Sequence, residues 1–183
     1  LAMPGLASLG RWVYLLRRPG AEEDKVERRA MHRRIMSCAG IGALAGYMCI
    51  VAAHSSKAQF FGYDFRSGAW KPLLHLLHIY LGYLCLLMML AQSVMGILKA
   101  RALRLGGRRF TFHGELGKRI IMVGSSTILV ATWIVKWRVS MKLVVTVLAL
   151  LCCYFGAFWA ERVEAETKRN ASGTAGEGEE VGF

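Results

Sequence analysis

Long apolar runs alternate with short polar or basic stretches along this chain. A helix rises 1.5 Å per residue, so these runs with their flanking residues match a hydrocarbon layer of about 30 Å. The pattern predicts one all-α, integral membrane four-helix domain at residues 21–160, with spans at about 30–54, 72–99, 111–136 and 141–161. The first, second and fourth runs are nearly continuous, whereas the third is interrupted by Gly124, Ser125, Ser126 and Thr127.

Composition supports a membrane protein. The 183 residues are 55% hydrophobic, with a mean hydropathy of +0.37. The formal net charge is +12, but the basic residues flank the apolar runs, which is typical of membrane topology. We therefore expect the chain to interact with the lipid bilayer and not with a nucleic acid. All five cysteines lie within or beside apolar runs without a CxxC pattern, so we predict neither a disulfide framework nor a zinc site.

The two ends differ from the spans. Residues 1–20 contain arginine but no acid, and they place Leu9, Trp12, Val13 and Leu16 on one helical face. This pattern predicts an amphipathic helix in the membrane interface. An acid-free start also fits the remnant of an organelle-targeting segment, so we expect an organelle membrane, with the mitochondrial inner membrane as the specific prediction. Residues 162–183 are rich in Glu, Gly, Ser and Ala, and they predict a disordered polar tail.

The distribution of Lys and Arg predicts the orientation. Basic residues concentrate before the first span and in the stretch 99–119, and they are fewer in the connections 55–71 and 136–142. By the positive-inside rule, both termini and the loop 101–109 face the cytosol or matrix.

Every histidine lies near the end of a predicted span. His32 and His113 fall at the basic side of the membrane, whereas His54, His75 and His78 fall at the opposite side. A single histidine at a membrane face is commonly a solvated helix-end residue. Two imidazoles from different helices, however, can hold a heme iron. Opposing pairs can be drawn at each face.

Three consecutive predicted helices carry further motifs at defined spacing. The first has Gly46 14 residues and His54 22 residues after His32. The second reads Leu77-His78-Ile-Tyr80-Leu-Gly82 and continues to Gln92 and Gly96; the third reads His113-Gly-Glu-Leu-Gly117. In order and spacing, residues 28–137 resemble core helices 3 to 5 of the eukaryotic cytochrome b-561 family. That family carries electrons from ascorbate across membranes. Its motif Trp is replaced here by Tyr80, and the glycines are equally compatible with plain helix packing.

The resemblance implies a set of site residues. His32 and His113 would be the ligands of a heme b on the basic side. The family has six helices, and the two before its first ligand helix have no counterpart among the predicted spans. A second heme at His78 would therefore need His54, His75 or a residue of another subunit. Family lysines that help to hold ascorbate correspond to Arg28 and Arg29; with Arg33 these arginines are candidates for binding an anion.

Two functions from different classes follow. The first is a heme b-binding transmembrane electron carrier resembling cytochrome b-561, with one heme or two. It would be an oxidoreductase that depends on ascorbate or on a partner protein. The second is an accessory membrane subunit of a larger respiratory or photosynthetic complex, with one structural heme or none. Expected partners are other membrane subunits or a second copy of the chain. A hydrolase is not expected, because no nucleophile–base pair lies within a span.

Overall fold

The computed structural model describes residues 2–15, 22–107, 112–159, 161–163, 165–166 and 169. Five α-helices follow one another in the order α1 (Ala2–Leu15), α2 (Glu22–Ser55), α3 (Leu73–Arg104), α4 (His113–Ile134) and α5 (Val139–Cys153). A π-helical segment, Tyr154–Trp159, continues α5. Three short strands, β1 (Gln59–Phe60), β2 (Tyr63–Asp64) and β3 (Ala69–Trp70), lie between α2 and α3. The described part of the chain is therefore mostly helical, as predicted.

Among the residues that the structure describes, three helices are long and apolar enough to cross a membrane. They are Val26–Ser55, Leu73–Arg104 and the combined helix Val139–Val163. The count differs from the four spans predicted, because α4 is shorter and less apolar. It carries Glu115, Lys118 and Arg119 in its first two turns and small polar residues further along.

Helix α4 lies at the centre of the described bundle. It packs against α3, α5, α1 and the π-helical segment. Its buried residues are Ile120, Ile121, Gly124, Ser125 and Thr132. Its small residues Gly124, Ser125 and Thr132 are buried against neighbouring helices, where small residues allow the close helix packing that is common in membranes. This position explains the weaker hydropathy signal of the third predicted span.

Helix α1 belongs to the bundle. It packs against α2, α4, α5 and the π-helical segment. Pro4, Ala7, Ser8 and Gly10 are buried, whereas Leu9 of the predicted apolar face is 51% exposed. The segment is thus helical as predicted, but a small-residue face fixes it to its neighbours. Residues 16–21, at the end of the predicted segment, lie outside the described residues.

The connection between α2 and α3 forms a three-stranded antiparallel sheet in the order β1-β2-β3. The Asp64 carboxylate organises it, because it accepts hydrogen bonds from the backbone N–H groups of Arg66 (3.0 Å) and Ser67 (3.3 Å) and from the Gln59 amide (2.8 Å). Gly62, with φ +87°, lies directly on Leu76 of α3. The sequence predicted only a polar connection here.

Most boundaries agree with the predicted spans to within a few residues. Helix α3 extends past Lys99 to Arg104, since the residues after Lys99 favour helix until Gly106 takes a positive φ of 74°. Of the predicted tail 162–183, residues 162–163, 165–166 and 169 are helical, and the remainder lies outside the described residues.

Candidate functional site

His32 lies in the basic stretch of α2, just before the apolar part begins at Ile35, and faces α1. Its Nδ1 is 2.7 Å from the carbonyl oxygen of Gly10. A carbonyl oxygen can only accept, so Nδ1 carries the proton in this bond. The remaining ring nitrogen, Nε2, then has the lone pair that can coordinate a metal.

His113 is the first residue of α4 and packs against α3. The Gln92 amide nitrogen donates to the His113 carbonyl oxygen at 2.9 Å and lies 3.3 Å from the His113 ring Nε2. Two glycines allow this close approach. A Cβ at Gly117 would sit 3.2 Å from the Gln92 amide nitrogen, and one at Gly96 would sit 3.4 Å from the His113 ring.

Two buried polar atoms at this site have no partner among the described residues. They are the Nδ1 of His113 and the Oε1 of Gln92. An unpaired buried donor or acceptor costs about 1–3 kcal/mol, so native proteins rarely retain one without a functional reason. Their occurrence in two contacting side chains marks this point of the α3–α4 interface as a candidate binding site.

Positive charge surrounds the two histidines. Lys99 and His32 both lie within electrostatic range of His113, and Arg29 lies within range of Lys99. No carboxylate pairs with Lys99 in the part of the chain that the structure describes. The structure therefore brings His32 and His113 to the same end of the bundle, as predicted, together with cations that suit an anionic group.

The candidate arginines differ in their surroundings. Arg29 and Arg33 are exposed on the first turns of α2, and Arg28 is half-buried. Arg29 lies within electrostatic range of Lys99, which is itself in range of His113.

Helix α2 packs mainly along α1 and reaches β1. Few backbone contacts link it to α3, α4 or α5 over the described residues, although the Tyr47 ring of α2 lies against Tyr83 of α3 with centroids 6.3 Å apart. A side chain added at Gly40, Gly42 or Gly46 would meet no atom within 4 Å. The face of α2 that carries these glycines is therefore left uncovered in the described structure.

The opposite end of the bundle is built differently. His78 Nδ1 donates to the Thr127 carbonyl oxygen at 3.1 Å, and the ring lines a cavity of about 220 Å³ with Thr132 and Trp137. That volume is below the roughly 300–1,000 Å³ of pockets that hold drug-sized ligands. The cavity suits a group smaller than a tetrapyrrole.

No second imidazole joins His78 among the described residues. His54 is exposed, and its Nδ1 bonds the Ile50 carbonyl oxygen of its own helix at 2.9 Å. His75 is exposed at the start of α3. No hydrogen bond or ring contact links either residue to His78. The pairing of His78 with His54 or His75 therefore stays a prediction.

Other polar residues of α4 are structural. Glu115 pairs with Lys118 at 3.0 Å and with Arg119 at 3.7 Å, and Lys118 also reaches Glu161 at 3.1 Å. Glu115 therefore neutralises basic side chains of its own helix.

Sequence reasoning missed two contributors to the site. Lys99 looked like one topology-setting cation among many, and nothing in the sequence separates it from Arg101 or Arg104. Gly10 acts through its backbone, so its residue type carries no signal for a bond to His32. The prediction that Gln92 faces another helix is confirmed, because its side chain bonds His113.

Comparison with known proteins adds no identification. Over the described residues, no group of three or more His, Cys, Asp or Glu side chains could hold a metal ion. No protein-family model matches the chain, and no curated protein or solved structure matches it either.

Proposed function

We propose that this chain is a heme b-binding membrane protein resembling cytochrome b-561, which transfers electrons through one heme held by His32 and His113. The observation that carries the proposal is that these two imidazoles, from α2 and α4, lie within electrostatic range of each other at one basic end of the bundle. Heme b supplies reversible one-electron chemistry when bound, and the two imidazoles would hold it.

The surroundings of the pair suit a heme. Lys99 and Arg29 would hold the propionate groups, because they are cations near the histidines and Lys99 has no carboxylate partner in the described structure. His113 would hold the iron through Nε2, which the Gln92 amide nitrogen approaches at 3.3 Å.

The topology of the proposal requires α4 to cross the membrane as a fourth span. Its apolar core at residues 120–135 is sheltered by α3, α5 and α1. Four crossings place both chain ends on the basic side, which is the orientation that the positive-inside rule predicts. The identity of the membrane, including the mitochondrial inner membrane, stays a prediction.

A second heme at His78 is not part of the proposal. The ring is bonded to the Thr127 carbonyl, it lines a small cavity, and it has no imidazole partner in the described structure. With a single heme near the basic face, the electron donor and the electron acceptor would both bind at that face. Alternatively, another chain would carry the electron across the rest of the membrane.

The exposure of α2 favours the second candidate function, a subunit of a larger membrane assembly. Ile41, Leu44 and Met48 are 69%, 60% and 57% exposed. Lipid alone could solvate this surface, but a partner helix would also fit the small residues between these positions. The partner would be another membrane subunit or a second copy of the chain.

The test is heme quantitation in the full-length protein, purified in lipid nanodiscs. A reduced-minus-oxidised spectrum with pyridine hemochrome analysis should give one heme b per chain. His32→Ala and His113→Ala should abolish the bands, whereas the matched variants His54→Ala and His78→Ala should retain them. Absence of heme from the wild-type chain, or two hemes per chain, would refute the one-heme proposal.

Ascorbate is the proposed small-molecule donor at the basic face. Arg29 lies within electrostatic range of Lys99 and is the first candidate for holding the ascorbate anion, with Arg28 and Arg33 as further candidates. Stopped-flow reduction of the bound heme by ascorbate should slow in Arg29→Gln and be unaffected in Arg138→Gln, which lies in the opposite connection. Equal rates in both variants would refute the role of Arg29.

A further inference from the structure

We infer that helix α1 positions His32, with the Gly10 carbonyl holding the imidazole in the tautomer that presents Nε2 for coordination. The inference concerns the chain itself, and only its consequence for heme binding rests on the proposed function. Because the carbonyl is a backbone group of another helix, the position of α1 determines whether the bond forms.

The bond requires a close approach of two helix backbones. Gly10 is buried against α2, where an added Cβ would lie 2.9 Å from the Met36 sulfur and 3.3 Å from Ile35 Cγ2. Met36 is four residues after His32 and so lies on the same face of α2. A side chain at position 10 would therefore push α1 away from the imidazole.

Three hydrogen bonds hold α1 against the end of α5. The Ser8 hydroxyl lies 3.1 Å from the Cys152 carbonyl oxygen, the Trp12 indole N–H donates to the Phe155 carbonyl at 3.1 Å, and Arg11 donates to the Gly156 carbonyl at 3.0 Å. Side chains of neighbouring helices can supply such bonds where a π-helical turn disrupts the regular backbone pattern.

Ring packing supports the same docking. Trp12 and Trp159 have ring centroids 4.1 Å apart, and Gly156 allows direct contact with the Ser8 side chain. Helix α1 is thus fixed on two sides, by α2 through Gly10 and by the π-helical segment through its polar side chains. The π-helical segment is thereby linked to His32 through α1.

The chemical consequence follows from the fixed tautomer. A proton on Nδ1 that is shared with a carbonyl leaves Nε2 as the basic atom and orients the ring. Loss of the group that hydrogen-bonds the second ring nitrogen of a metal-binding histidine typically lowers metal affinity or activity by about 10–100-fold. A stronger imidazole donor also favours ferric iron, so loss of the bond should raise the heme reduction potential.

The principal test compares two glycines of the same helix. Gly10→Ala should displace α1, whereas a Cβ at Gly5 would lie an ordinary 4.0 Å from the Cys152 sulfur. Histidine ¹⁵N NMR on the full chain without heme reports the tautomer, with the His32 signal assigned by its absence in His32→Gln. We expect a Nδ1–H signal in the wild type and in Gly5→Ala, and tautomer averaging in Gly10→Ala.

Heme binding gives the second readout. Gly10→Ala should bind heme about 10–100-fold more weakly than Gly5→Ala. Ser8→Ala adds no bulk and removes one bond to α5; it should shift the tautomer and the affinity in the same direction by a smaller amount. This variant keeps the test decisive if Gly10→Ala does not fold.

The outcomes separate the two proposals. A wild-type His32 protonated on Nε2, or a tautomer and affinity unchanged in both Gly10→Ala and Ser8→Ala, would overturn the positioning role. A wild-type chain that binds no heme, but whose His32 tautomer responds to these variants, would refute the proposed function and support the positioning role.

Discussion

The junction between α1 and the π-helical segment gives a sharp stability prediction. Gly156 is buried, and a Cβ at this position would overlap the Ser8 hydroxyl, lie 2.9 Å from Ser8 Cβ and lie 3.2 Å from Ile121 Cδ1. Ser8 Oγ cannot turn away without losing its bonds, which are 2.8 Å to the Pro4 carbonyl and 3.1 Å to the Cys152 carbonyl. Gly156→Ala should therefore loosen the docking of α1.

The magnitude follows from three effects. Overpacking of a buried site costs about 1–3 kcal/mol. Loss of the Ser8 hydrogen bond costs about 0.5–1.5 kcal/mol. Replacing glycine by alanine inside a helix returns roughly 0.5–1 kcal/mol. The expected loss of unfolding free energy is therefore about 2 kcal/mol.

The assay is reversible unfolding in mixed micelles, followed by tryptophan fluorescence, because Trp12 and Trp159 stack at this junction. Gly42→Ala is the matched control, since it faces open space and should be neutral or slightly stabilising. Ser8→Gly in the Gly156→Ala background should restore part of the lost stability, as a double-mutant cycle would measure. Equal stability of the Gly156→Ala and Gly42→Ala proteins would refute the packing argument.

Three further predictions concern the site, the sheet and the surface. In Gly117→Ala the new Cβ would lie 3.2 Å from the Gln92 amide nitrogen and should displace it, so heme occupancy should fall below that of the control Gly42→Ala. Equal occupancy in the two variants would contradict this prediction. The hydrogen bond from the Ser67 N–H is the main cause that lowers the Asp64 pKa in the folded sheet. The ionised Asp64 therefore stabilises the sheet at pH values above the unfolded pKa of 3.8, and this stabilisation is lost as the pH falls through the lower, folded pKa. Hydrogen exchange of residues 59–70 should show this loss, and Asp64→Asn should abolish the dependence. Lys118→Ala should cost less than about 1 kcal/mol in chemical unfolding, because its carboxylate partners are half-exposed; a larger loss would contradict this.

The long helices were predictable because their signals are strong and local. Continuous apolar runs between basic residues predicted the end of α2 and the start of α3 to within one residue, whereas the helices extend into the flanking basic residues at their other ends. The third predicted span is helical, but its composition does not place it among the helices that could span a membrane by themselves. Its burial depends on neighbours that are distant in sequence, and hydropathy along one segment does not report them.

The sequence did not predict the short strands or the helix contacts made by small residues. Strands of two residues are too short to show an alternating pattern, so the sheet between α2 and α3 read as a polar loop. In α1, the large apolar residues suggested a membrane-facing helix, whereas Pro4, Ala7, Ser8 and Gly10 make the close contacts. Close packing through small residues carries almost no hydrophobic signal, although it fixes the helix position.

For the site, spacing and resemblance selected His32 and His113, and the structure brings both to one end of the bundle. The immediate surroundings could not be read from the sequence. A backbone carbonyl contributes the bond to His32, and only tertiary packing shows that Lys99, rather than the basic residues after it, lies near His113.

The two ends of the bundle therefore differ in what they can do. At the basic end, two imidazoles, unpaired buried polar atoms and cations without acidic partners lie together in the described structure. At the other end, a small sheet packs on α3 and the His78 ring is bonded to a carbonyl beside a small cavity. Electron transfer across the whole bilayer needs comparable redox sites at both faces. Under the proposed function, this asymmetry restricts the chain's own electron exchange to the basic face and requires a partner for any transfer beyond it.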